Sequence, residues 1–92
     1  MQVETVLRSL VQAIVDIQRE SGWQAQEING QTCPMVDLPN FDSLNAVEVT
    51  TLVSDDLGID VDVSEFLGAR EQRPLSIDEI ARAICQASRK EG

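Results

Sequence analysis

Ser43 is the residue around which chemistry could be organised in this chain. It stands within Leu38-Pro-Asn-Phe-Asp-Ser-Leu-Asn-Ala-Val-Glu-Val49, where a Pro-containing loop gives way to a helical pattern. A serine at such a boundary has three uses. It can cap the helix, along with Asn40 and Asp42. It can attack a substrate as a nucleophile, which requires a base. Or it can be displayed for another enzyme to modify. The free N–H groups and dipole of a helix N-terminus favour an incoming phosphate. The second use lacks its partner, because the chain contains no histidine. No Ser-His-Asp or Cys-His pair can form, and the usual general base and commonest transition-metal ligand are missing. There is also no Gly-rich phosphate loop. These absences argue against catalysis by the chain itself.

The remaining candidate groups are few. Asp55-Asp56 and Asp60-Val-Asp62 do not match the spacing of the calcium-binding helix-loop-helix pattern, so they promise at most a loose cation site. Cys33 and Cys85 form neither a disulfide framework nor a metal-spaced pair. Cys85 falls in an apolar helical stripe and reads as core. Cys33 lies in a loop, with nothing nearby to activate it.

The helix beginning at Ser43 is expected to run to Leu57, with Gly58 as its stop. Projected at about 100° per residue, it has two faces. Ala46, Val49, Val53 and Leu57 share one side and form a core face. Leu44, Val47, Glu48, Thr51 and Asp55 share the opposite side. That second face mixes apolar and acidic residues beside Ser43, as suits a helix that docks partners as well as building a core.

Three further elements must position this helix. Val3, Val6, Leu7, Leu10, Ile14 and Ile17 recur at helical spacing over residues 2–19, with Arg8, Gln12, Asp16, Gln18 and Arg19 filling the remainder. Residues 21–41 read as a long connection broken by Gly22, Gly30, Pro34 and Pro39, pinned by Trp23, Ile28, Met35 and Leu38. Ile59 to Val63 alternate, but with no partner strand they are expected as an extended loop with Ile59 and Val61 turned inward. A short turn at 65–67 is expected to be capped by Ser64 and closed by Gly68. Ser76-Ile-Asp-Glu79 is a capping box, and Leu75 with Ile80 is a hydrophobic staple. The helix it opens buries Ile77, Ile80, Ala81, Ile84 and Ala87 or Ser88. Arg89 and Lys90 suit its negative end. The sum is an all-α, small four-helix bundle of three main helices and one short one, forming a single domain.

Ninety-two residues at 42% hydrophobic content allow one modest core. The aromatics are only Trp23, Phe41 and Phe66, so that core is aliphatic. Net charge is -9, from 16 acids against 7 bases. No Lys or Arg occurs from Glu20 through Ala69, so the middle of the chain is acidic. Such a surface repels nucleic acid and steers basic protein partners. No secretory signal or spanning segment is visible, and a cytoplasmic, reducing setting is expected.

Asp42-Ser43-Leu44, followed by Val47-Glu48 and by Leu57 closing the helix, resembles the acyl carrier protein family. The order of helices, the acidity and the size agree over nearly the whole chain. The resemblance implies a 4'-phosphopantetheine arm on Ser43, installed from coenzyme A by a phosphopantetheinyl transferase, whose thiol carries acyl groups as thioesters. It implies that Asp42 lies beside the arm and assists the transferase and its metal ion. It places Leu44, Val47, Glu48, Thr51 and Asp55 on a face read by acyl-transferring or synthase enzymes with basic docking patches. A monomer that neither inserts into membranes nor binds nucleic acid is expected. The chain departs from the family at Asn40, where Gly is usual, at Asn45, often acidic, and at Thr51, often apolar. Its loops before Ser43 and from Gly68 to Leu75 are long. These departures suggest a specialised carrier. The Gly-Gly and His that commonly precede the serine in peptidyl carriers are absent, which favours an acyl load. The alternative is a helical interaction module that uses Leu44 and Val47 for docking and carries nothing.

Overall fold

A computed structural model describes residues 2–20, 22, 28–38, 41–69 and 71–90, the last three without their side chains. The expectations for Trp23, Pro39, Asn40 and Arg70, and for the side chains of Ser88, Arg89 and Lys90, lie outside the described residues. The chain is all-α. Its elements are α1 (Val3–Glu20), α2 (Pro34–Asp37), α3 (Ser43–Leu57), α4 (Val63–Leu67) and α5 (Ile77–Lys90). No strand occurs among the described residues. α1 packs against both α3 and α5, and α4 bridges α3 and α5.

The expected apolar stripes build the core. Val6, Leu10 and Ile14 of α1, Ala46, Val49 and Val53 of α3, and Ile77, Ile80 and Ile84 of α5 are buried together, with Phe66 of α4 among them. Each such Val, Ile, Leu or Phe contributes about 1.5–3 kcal/mol by leaving water. Phe66 stacks on Phe41 at 5.9 Å between ring centroids, which ties the entry to α3 to the short helix. Cys85 is part of this core, and Leu57 packs at its edge. Gln18 departs from its expected place. It is buried on α1, and its Oε1 has no partner among the described residues.

Two local details correct the expected pattern. The connection before Ser43 contains one ordered helical turn, α2, which starts on buried Pro34 and is followed by buried Leu38. The α4 turn is capped by Asp62 and not by Ser64. The Asp62 carboxylate accepts the Ser64 N–H at 2.9 Å. That bond, with a second from the Ser64 hydroxyl, holds the Asp62 carboxyl below its ordinary value. Ile59 and Val61 are turned partly inward as expected, and so is Val63, which begins α4 and is not part of the loop. The Val61 N–H donates to Ser54 Oγ at 3.1 Å, which fastens this stretch to α3.

The long connection also does a job at the start of α5. Backbone carbonyls of Thr32 and Gly30 accept the N–H groups of Ile77 and Asp78, each at 2.8 Å. These donors have no partner inside the helix. The capping box is formed as expected: Glu79 N–H donates to Ser76 Oγ at 3.2 Å, and Ser76 N–H donates to Glu79 Oε1 at 3.1 Å. Leu75 and Ile80 are buried beside it as the staple.

The Glu79 carboxylate also takes a two-pronged ion pair from Arg73, which latches the 68–75 loop to α5. Hydrogen bonds from Arg73, and then from the Ser76 N–H, hold Glu79 down at about 2, against an ordinary 4.5. A carboxyl depressed on folding stabilises the fold above its unfolded value. This stabilisation should be full above about pH 4.5 and drain away as pH falls towards about 2. Melting temperature measured across that window is expected to fall less steeply in Glu79→Gln than in the parent. Parallel curves would show that the latch does not contribute.

Candidate functional site

The site is built at the first turn of α3. Asp42 is its N-cap, with extended backbone at φ -122° and ψ -173°. Its Oδ1 accepts the Asn45 N–H at 3.1 Å, and Asn45 Oδ1 accepts the Asp42 N–H at 3.1 Å. This reciprocal pair is a capping box with the shorter Asn in place of the usual Glu or Gln. Asn45 therefore completes the cap. The three-residue spacing from Asp42 was the signal for it in the sequence.

Ser43 is thus the first helical residue and not the cap. Its side chain is exposed, and among the described residues no hydrogen bond engages its hydroxyl. Among the described residues, the helix start also retains donors without an acceptor. The box consumes the Asn45 N–H, and the Ala46 N–H donates to the Asp42 carbonyl at 3.0 Å. The N–H groups of Ser43 and Leu44 have no acceptor among the described residues. A phosphate ester on Ser43 Oγ would meet these two donors and the positive end of the helix dipole. The exposed hydroxyl leaves room for it, so the residues present fit a phosphopantetheine linkage.

The outer face of α3 is presented as its projection requires. Leu44 is 72% exposed and Val47 is 47% exposed, and Glu48, Thr51 and Asp55 are exposed with them. Asp55 lies twelve residues beyond Ser43, about 18 Å along the axis. The Thr51 hydroxyl donates back to the Val47 carbonyl at 2.9 Å, so its polarity is partly spent on the helix itself. Thr50 does the same from the buried side. Leu52, 42% exposed, extends the apolar patch along its flank. It falls between the two projected faces, which is why periodicity did not assign it. Val36, 65% exposed on α2, was also missed, because so short a turn has no readable period.

Asp42 carries two separable roles here, cap and charge. Asparagine caps as well as aspartate does, whereas alanine forfeits about 1 kcal/mol. Asp42→Ala should therefore lower the melting temperature by roughly 4–8 °C, and Asp42→Asn should leave it nearly unchanged. If the carboxylate also serves the modification of Ser43, both variants are expected to be slow acceptors in a transferase assay. Equal melting temperatures for the two would refute the capping role.

Two concavities among the described residues lie elsewhere. One of about 650 Å³ is lined by residues 58–62, Glu65 and Ala87, and one of about 240 Å³ is lined by Glu71, Ala83 and Gln86, among others. Ser43 borders neither. Among the described residues, no group of three His, Cys, Asp or Glu side chains is placed to hold a metal ion. Cys33 is half-buried. Burial pushes its thiol up, Asp37 and Glu79 push the same way, and these outweigh Arg73, so no reactive thiolate is favoured. No described helix is long and apolar enough to cross a membrane. Comparison with known proteins finds no matching family model, no matching curated protein and no matching solved structure.

Proposed function

We propose that the chain is an acyl carrier protein of the cytoplasm, with Ser43 as the attachment point of a 4'-phosphopantetheine arm. The observation that carries this reading is the exposed hydroxyl, unengaged among the described residues, at the first residue of a helix capped by its neighbour. In the attachment step Ser43 Oγ gives its proton to a base of the transferase and bonds to the phosphorus bearing the pantetheine of coenzyme A. The pyrophosphate bond breaks, and adenosine 3',5'-bisphosphate leaves. When attached, the arm supplies a thiol that holds acyl groups as thioesters.

The chain's own residues supply three things. The N–H groups of Ser43 and Leu44 face the new phosphodiester. Asp42 holds the helix start rigid and places a carboxylate beside the acceptor oxygen. Leu44, Val47 and Leu52 offer an apolar patch, with Glu48 and Asp55 giving it negative charge. Such a face suits partners with an apolar socket and a basic rim. Steering by charge gives fast association that weakens with salt, as serial exchange among enzymes requires. The chain acts as a monomeric substrate for these enzymes and not as a catalyst. Free carrier and partner separate after each visit.

The exposed patch would equally serve an interaction module that carries nothing. Intact mass separates the two. Incubation with coenzyme A, Mg²⁺ and a broad-specificity phosphopantetheinyl transferase is expected to add the mass of one arm. A chain that keeps its mass under conditions that load a known carrier is not one, and the docking reading then stands alone.

A further inference from the structure

The exposed large hydrophobics among the described residues are Val36, Leu44, Val47 and Leu52. Single exposed apolar side chains are ordinary on protein surfaces. These four are not scattered. All lie within residues 36–52, on α2 and on α3, which Ser43 begins, and none is on α1, α4 or α5. Three belong to the α3 face. Val36 stands apart, before the serine, and is nearly as exposed as Leu44.

The build of α2 explains how Val36 comes to face outward. Pro34 is buried, Met35 packs against the core, and Leu38 is buried behind them. The N–H groups of Val36 and Asp37 donate to the Cys33 carbonyl at 3.0 and 2.7 Å. The Asp37 carboxylate accepts the Cys33 N–H at 2.8 Å, closing the turn on itself. The turn is fastened on both sides of Val36, whose β-branched side chain is stiff in a helix. A stiff apolar knob loses little freedom when it is covered. Asp37 and Asp42 are both exposed, so an acid stands next to Val36 and another next to Ser43, as acids stand beside the apolar groups of the α3 face.

One hydrogen bond also links the two segments. The Phe41 N–H donates to the Leu38 carbonyl at 3.5 Å. With two residues of chain on either side of that bond, Val36 and Ser43 are separated by at most about 22 Å. An enzyme that closes on Ser43 with a standard footprint of about 800 Å² covers a patch roughly 30 Å across. Such a footprint is large enough to hold both.

We infer that Val36 is a docking residue for the transferase that modifies Ser43, seated in an apolar socket with basic residues around it that meet Asp37 and Asp42. The inference rests on the carrier reading of Ser43. It adds that the recognised surface includes α2 as well as α3. Val36 is a positioning residue and touches no reacting atom.

The test is the steady-state kinetics of arm transfer from coenzyme A by a broad-specificity phosphopantetheinyl transferase, with this protein as the varied substrate. Val36→Ser is expected to raise KM about fivefold, the loss of a partly buried Val contact. Its kcat and melting temperature should stay unchanged. Val36→Ile, which keeps shape and branching, should retain the parent KM, and Gln12→Ala on α1 should do the same. An unchanged KM in Val36→Ser, with loading intact, overturns the role of Val36 and leaves the carrier reading standing. A KM that rises only in step with a falling melting temperature also overturns it, since the residue would then be structural. Failure of the parent protein to be modified at all overturns the carrier reading, and this inference with it.

Discussion

Ser43→Ala is expected to abolish arm attachment completely while leaving the melting temperature within about 2 °C of the parent. The two halves of this result have separate origins. Loss of attachment follows from the proposed role of Ser43 Oγ as the acceptor, since no atom of alanine can replace it. Retention of stability follows from the cap. Had Ser43 been the capping residue, its removal would have cost about 1 kcal/mol, which in a domain of this size lowers the midpoint by roughly 4–8 °C. Asp42 holds the Asn45 N–H instead, and alanine is well tolerated at the first helical position. Intact mass and a thermal melt on one preparation read both halves. Residual mass gain would move the acceptor to another hydroxyl. A melt lowered by 4 °C or more would return Ser43 to a structural role.

That prediction shows where sequence reasoning was sufficient and where it stopped. The helix from Ser43 to Leu57 was legible because its signals are local and repeated: a polar entry, an apolar stripe at helical spacing and Gly58 at the end. The capping box at Ser76 and Glu79 was legible for the same reason, since three residues fix it without help from the rest of the chain. The choice among Asn40, Asp42 and Ser43 as cap was open. It depends on where the backbone first turns helical, which polar type alone does not settle. At α4 the same ambiguity led to Ser64, and the structure places Asp62 there. The turn at Pro34 was hidden because it is held by burial of Pro34 and Leu38, long-range packing that has no period in the sequence.

The functional face divides along the same line. Leu44 and Val47 were found because they stand opposite a clear core stripe. Leu52 lies at the boundary between faces, and Val36 lies in a segment with no stripe at all. Acidity was readable from composition, but its use was not. Only the resemblance carried by Asp42-Ser43-Leu44 turned a polar helix start into a proposed attachment point. What the structure adds is the physical ground for that step: an exposed hydroxyl and two backbone donors beside it that have no partner among the described residues, and an exposed apolar face running away from them.

Gly68→Ala is expected to be among the most damaging single-methyl changes this protein can suffer. Gly68 closes α4 with φ at 71°, a left-handed conformation that costs an L-residue about 1–2 kcal/mol. A Cβ there would also lie 2.0 Å from the Arg73 carbonyl oxygen. That oxygen is backbone and cannot step aside like the end of a side chain. It would have to carry the 68–75 loop with it, disturbing the Arg73–Glu79 latch and the buried Leu75 staple at the head of α5. Overpacking of this kind adds about 1–3 kcal/mol. The combined loss of roughly 3 kcal/mol should lower the melting temperature by about 12–24 °C. Gly58 supplies the control, because it closes α3 at φ 67° with open space where its Cβ would stand. Gly58→Ala should therefore show the conformational cost alone, a fall of about 4–16 °C. The difference between the two melts isolates the clash. Equal destabilisation would mean that the loop moves aside freely, and the latch would then be a surface contact with no hold on the α4–α5 junction.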